Sequence, residues 1–106
     1  MRIYNKLVRD NIPSIIRENG EIPHISILDD KDYFEKLKSK LMEETNEFMA
    51  SEELTELADI LEVVDFLARA KGSTLDEIFE IKKQKSLKNG GFEKKVFLEF
   101  VESFGK

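Results

Sequence analysis

Four carboxylates in the middle of the chain have spacings that suit a shared metal ion. Glu44 and Glu47 are three residues apart, and so are Glu56 and Asp59. Residues three apart lie on the same side of an α-helix, so each pair can present two carboxylates in one direction. Oxygen-only ligands of this kind suit hard divalent cations such as Mg²⁺, and also Mn²⁺. The spacing therefore predicts a metal site formed by Glu44, Glu47, Glu56 and Asp59.

The hydrophobic pattern around these acids predicts two long helices joined by a short turn. Apolar residues recur at helical spacing from about Asp30 to Met49, and again from Glu52 to Lys71. Between them, Ser51 is a suitable N-cap for the second helix. Helices joined by so short a connection pack against each other antiparallel. We therefore expect an antiparallel helix hairpin.

The predicted turn at Ser51 brings the two acidic pairs to matching heights in the hairpin. Glu47 and Glu56 lie four and five residues from Ser51, and Glu44 and Asp59 lie seven and eight residues from it. At a rise of about 1.5 Å per residue, each couple is level to within about 2 Å. Four like charges in a half-buried seam need protons or cations to neutralise them, which strengthens the metal hypothesis.

The alternative interpretation is that these acids belong to the solvated faces of a highly charged protein. For any single acid that interpretation is the simpler one. We apply it to Glu43, which lies about 100° around the helix from Glu44 and is predicted to point away from the seam. The joint placement of the other four acids favours the metal site.

Composition narrows the class of protein. The chain has 106 residues, of which 41% are hydrophobic and 37% are charged, and this composition predicts one folded domain over residues 1–106. Its formal net charge of −5 argues against a nucleic-acid partner. The absence of cysteine excludes thiolate chemistry. No apolar run reaches membrane-spanning length, so we expect a cytoplasmic protein without a membrane partner.

The remaining segments complete a mainly α fold. A short helix is predicted from Asn11 to about Asn19, and a third long helix begins after Thr74 and ends at Asn89-Gly90-Gly91. Residues 22–28 and 92–101 are expected to be extended. The fold class is therefore a helical bundle built on the antiparallel hairpin.

Several motifs together resemble the MazG-like, all-α NTP pyrophosphatase superfamily, which includes phosphoribosyl-ATP pyrophosphohydrolase. They are EETNE at residues 43–47, ELAD at residues 56–59, the opening YNKLVRDNIPSII and the closing KNGGF. The opening and closing motifs resemble one small branch, usually labelled phosphoribosyl-ATP pyrophosphohydrolase-like. The resemblance extends from Tyr4 to Phe92.

The resemblance implies magnesium held by the catalytic acids, which are Glu44, Glu47, Glu56 and Asp59. It implies cleavage between the α- and β-phosphates of a nucleotide, giving a monophosphate and pyrophosphate. Its candidates for binding the polyphosphate are Lys6, Arg9, Lys82 and Lys83. Relatives assemble as dimers or tetramers, and the wide apolar arc of the second helix also predicts a homodimer or homotetramer.

Three functions follow from these expectations. The first is a Mg²⁺-dependent pyrophosphohydrolase acting on nucleoside triphosphates. The second, within the same chemistry, is phosphoribosyl-ATP hydrolysis in histidine synthesis. The third is a non-catalytic helical module that binds a nucleotide or a partner protein.

Overall fold

The computed structural model describes residues 1–105 and contains four α-helices. They are α1 (Ile12–Glu18), α2 (Asp30–Ser51), α3 (Leu54–Ala70) and α4 (Leu75–Asn89). The described residues include no β-strand, and residues 22–28 and 92–101 lie outside the helices. The predicted mainly α fold is therefore confirmed.

The helix hairpin is formed by α2 and α3, which pack against each other. Helix α2 begins where the Asp29 side chain accepts a hydrogen bond of 2.8 Å from the backbone N–H of Asp32. This N-cap satisfies one of the free donors of the first turn. Asp29 thus serves as the N-cap of α2.

The turn of the hairpin is two residues long. Helix α2 continues to Ser51, Glu52 adopts the left-handed conformation at φ 58°, and Glu53 is the N-cap of α3. The backbone N–H of Glu52 donates to Phe48 O at 2.8 Å and closes the last turn of α2. Ser51 is therefore the last residue of α2, and the prediction that it caps α3 was wrong. Its hydroxyl oxygen instead accepts from the Glu53 backbone N–H at 3.2 Å.

The interior of the hairpin is small. Among residues 1–105, the buried apolar side chains are Leu37 on α2 and Val63 and Ala68 on α3. Glu44 is buried with them and is 7% exposed. A carboxylate thus occupies a position that the helical period assigns to the apolar seam.

The described chain divides into two compact units. The first, Met1–Leu75, contains the N-terminal segment, α1 and the hairpin, and the second begins at Asp76. The single domain predicted over residues 1–106 stays a prediction. In the described part of the chain, no helix combines the length and the apolar character that a membrane span requires.

Candidate metal centre

The candidate centre is built around Glu44. Its Oε1 lies 3.5 Å from Lys40 Nζ, one helical turn earlier on α2. Its Oε2 is buried and has no hydrogen-bond partner. Leaving a buried carboxylate oxygen unpaired is costly, because the lost hydration is not replaced. An oxygen in this state is suited to receive a cation.

Four other acids surround Glu44 in two groups. Glu44 Oε atoms lie within 4.8 Å of carboxylate oxygens from Glu56 and Asp59, which α3 contributes. In the second group, carboxylate oxygens of Glu44, Glu43 and Glu47, all on α2, also lie within 4.8 Å of one another. The four predicted ligands are therefore found together, with the other three around the buried Glu44. They do not form a single group of four, since Glu44 is the member common to both groups.

The surroundings of Glu44 hold its pKa above the ordinary value of 4.5. Burial is the main cause, followed by a hydrogen bond with the Glu47 carboxyl and repulsion from its charge. Lys40 opposes this shift, while Asp59 adds to it. The raised pKa is what desolvation and like-charge crowding produce in a carboxylate without a bound cation.

Glu43 lies at the cluster and does not point away from it. Its Oε1 accepts from Lys6 Nζ at 2.9 Å, and its Oε2 accepts from Lys40 Nζ at 3.1 Å. Burial raises the pKa of Glu43, but the two lysine hydrogen bonds outweigh burial and hold it below 4.5. The prediction was wrong because it projected one helix alone, without the N-terminal segment that carries Lys6.

Arg9 reaches the same cluster from the N-terminal segment. Its Nη2 donates to Asp59 Oδ1 at 2.8 Å, and its Nη1 donates to Glu62 Oε2 at 3.2 Å. Lys6 and Arg9, two of the predicted phosphate-binding residues, thus lie beside the predicted ligands. Their binding of substrate stays a prediction.

Two residues of the site were missed by sequence reasoning. Lys40 precedes Glu43 and Glu44 by three and four residues, and that spacing places it on their side of the helix. Glu62 follows Asp59 by three residues and is recognisable in the same way. The partner of Glu62 was not recognisable, because Arg9 is distant in sequence.

The other predicted phosphate-binding residues belong to the second unit. Lys82 and Lys83 are exposed on α4. Their predicted role in binding substrate stays a prediction.

An open cleft of about 1540 Å³ adjoins the acidic cluster within the first unit. Its lining is largely apolar and also includes Tyr4, Lys6, Arg9, Tyr33, Glu44 and Asp59. Pockets of about 300–1,000 Å³ hold most small ligands, so this cleft has room for a nucleotide.

Comparisons with known proteins give one partial match. An uncharacterized protein of Mycolicibacterium smegmatis (strain ATCC 700084 / mc(2)155) is 45% identical over 47 residues, which cover 44% of this chain. The match spans 48% of that relative, about half of its length. Neither a family model nor a solved structure matches the chain.

Proposed function

We propose that this chain is a Mg²⁺-dependent nucleotide pyrophosphohydrolase of the MazG-like type, cleaving between the α- and β-phosphates of a nucleoside triphosphate. The observation that carries the proposal is the unpaired, buried Oε2 of Glu44 at the centre of an acidic cluster. Lys6 and Arg9 beside that cluster supply the second requirement, which is positive charge for a polyphosphate.

The charges of the cluster fit a divalent cation. Three cations, Lys6, Lys40 and Arg9, contact four of six neighbouring carboxylates, so the six carry three more negative charges than the cations neutralise. The six are Glu43, Glu44, Glu47, Glu56, Asp59 and Glu62. Every donor in the set is a carboxylate oxygen, which favours Mg²⁺ or Mn²⁺ over softer metals. Bound Mg²⁺ would polarise the phosphate oxygens and neutralise the charge that develops on them.

Each group of residues has a role in this proposal. Glu44, Glu47, Glu56 and Asp59 hold the cation, with Glu44 common to both sides of the seam. Lys6, Arg9 and Lys40 attract the polyphosphate and orient it at the rim. A carboxylate not engaged by the cation accepts a hydrogen bond from the attacking water and orients it.

A panel of nucleotides tests the proposal. Canonical and modified triphosphates and phosphoribosyl-ATP are incubated with the full chain and Mg²⁺, and pyrophosphate and orthophosphate are measured separately. Pyrophosphate release with a matching monophosphate supports the proposal, and preference for phosphoribosyl-ATP would assign the histidine pathway. Orthophosphate as the product would overturn it. Binding without turnover would favour the non-catalytic module.

We also propose that the chain forms a homodimer or homotetramer, because the hairpin leaves large apolar side chains uncovered. Met49 is 72% exposed, Leu54 is 81% exposed and Leu61 is 49% exposed. Light scattering at micromolar concentration should return at least twice the mass of one chain. The double variant Leu54→Gln/Leu61→Gln should lower that mass, since it removes apolar area from the contact. A single-chain mass for the unmodified protein would contradict the proposal.

A further inference from the structure

Arg9 bridges two carboxylates that differ in their relation to the candidate metal centre. Asp59 belongs to the group that includes the buried Glu44, whereas Glu62 belongs to neither acidic group. Both acids lie on α3, three residues apart and therefore on the same side of the helix. Arg9 thus donates to Asp59, a candidate metal ligand, through one amino group of its guanidinium. Through the other amino group it donates to Glu62, which lies outside both acidic groups.

The bond to Asp59 places Arg9 in competition with a bound cation. Asp59 Oδ1 accepts from Arg9 at 2.8 Å, so a divalent ion that takes this oxygen must weaken or replace that hydrogen bond. The hydrogen bond from Arg9 to Glu62 does not compete with a cation at Asp59. Arg9 lies in a segment without regular structure, and its side chain is 55% exposed, so it can change partner without disturbing the hairpin.

We propose that Glu62 is a positioning residue, which keeps Arg9 beside the metal centre when Asp59 binds a divalent cation and leaves Arg9 free to bind the anionic ligand. This inference rests on the proposed function. It adds an exchange of partners: Arg9 neutralises Asp59 in the empty centre and then turns to phosphate oxygens in the loaded one. The contact between Arg9 and Glu62 is kept throughout that exchange.

Mn²⁺ affinity, measured by calorimetry at constant ionic strength, tests the competition without any turnover. Arg9→Gln should bind Mn²⁺ about two- to fivefold more tightly, which is the range for loss of a screened ion pair. Glu62→Gln should bind it about two- to fivefold more weakly, because Arg9 is then concentrated on Asp59. In the Arg9→Gln background, Glu62→Gln should change Mn²⁺ affinity little.

Pyrophosphate binding in saturating Mn²⁺ tests the second half of the exchange. Arg9→Gln should weaken it about tenfold, since a charge-assisted hydrogen bond to phosphate is lost. Glu62→Gln should weaken it less than Arg9→Gln does. Arg17→Gln is the matched control: Arg17 is exposed on α1 and does not line the cleft, so neither affinity should change. Melting curves without metal verify that each variant folds.

The outcomes separate this inference from the proposed function. If Arg9→Gln leaves Mn²⁺ affinity unchanged or weakens it, the competition is refuted. An equal effect of Glu62→Gln with and without Arg9 would show that Glu62 acts through its own charge, and would refute its positioning role. If Mn²⁺ binds with the expected variant pattern but no nucleotide is hydrolysed, the proposed function fails and the exchange stands. A complete lack of Mn²⁺ binding overturns both.

Discussion

Replacing Glu44 with glutamine is expected to reduce Mg²⁺-dependent nucleotide turnover by about 100-fold or more. Glu44 contributes to both acidic groups, so its loss removes a charged ligand from each. Stabilisation of transition-state charge by a metal is worth several kcal/mol, and about 3 kcal/mol corresponds to about 100-fold in rate. The measurement is kcat/KM for pyrophosphate release with the preferred nucleotide.

The same variant should be more stable than the unmodified chain when no metal is present. Because the pKa of Glu44 is raised above 4.5 in the folded chain, its stabilising contribution is complete below pH 4.5 and is lost as pH rises through the folded value. Above the folded pKa of Glu44 the unmodified chain no longer has that contribution, whereas a glutamine side chain does not ionise. We expect a gain of about 1 kcal/mol, or a Tm rise of about 4–8 °C, at pH 7 and none below pH 4.5.

Glu53→Gln is the matched control for Glu44→Gln. Glu53 is exposed at the N-cap of α3, makes no side-chain capping hydrogen bond and belongs to neither acidic group. Its substitution should leave turnover within about twofold, as expected for a surface change away from the site. Equal loss of turnover in both variants would show that turnover depends on the total negative charge of the chain and not on the Glu44 carboxylate. That result would contradict a metal centre at Glu44.

Mg²⁺ is expected to raise the melting temperature of the unmodified chain by about 10–20 °C at a concentration 100 times its Kd. An ion that binds the folded cluster and not the unfolded chain stabilises by mass action, by about 2.7 kcal/mol at that excess. Each kcal/mol shifts Tm by about 4–8 °C in a domain of this size. The effect is measured by scanning calorimetry at constant ionic strength, since added salt alone also screens the crowded carboxylates.

The Glu44→Gln variant supplies the contrast for the Mg²⁺ titration. Without the shared carboxylate, its Tm should move little over the same range of Mg²⁺. If both proteins gain the same stability, the ion acts at another surface. If neither gains any, the acidic cluster does not bind Mg²⁺, and the candidate metal centre is refuted.

Helical periodicity was sufficient to predict the hairpin and to include Glu44 among its facing acids. The recurrence of apolar residues defined α2 and α3 to within two residues at their facing ends, and the spacing of the acids placed Glu44 in the half-buried seam between them. Both results depend on local rules, because a residue's direction on a helix follows from its position in the sequence. The matched heights of the acids also followed from counting residues on either side of the turn.

The ion pairs around the cluster could not be predicted in this way. Lys6 reaches Glu43 across 37 residues, and Arg9 reaches Asp59 across 50 residues. These contacts depend on how the N-terminal segment folds back over the hairpin, which no single-helix projection contains. The resemblance indicated that Lys6 and Arg9 belong near the acids. It did not indicate which acids they contact, and so Glu43 was assigned to solvent.

The short connection between α2 and α3 limits how the gene for this chain can change. Only Glu52 and Glu53 separate the two helices. A connection this short has little room to absorb one residue more or less, and if α3 then starts one residue earlier or later, Glu56 and Asp59 move by about 100° around the helix and about 1.5 Å along it, away from Glu44. Codon-length insertions and deletions, which loops usually accept, should therefore be purged by selection at this point whenever the acidic cluster is in use.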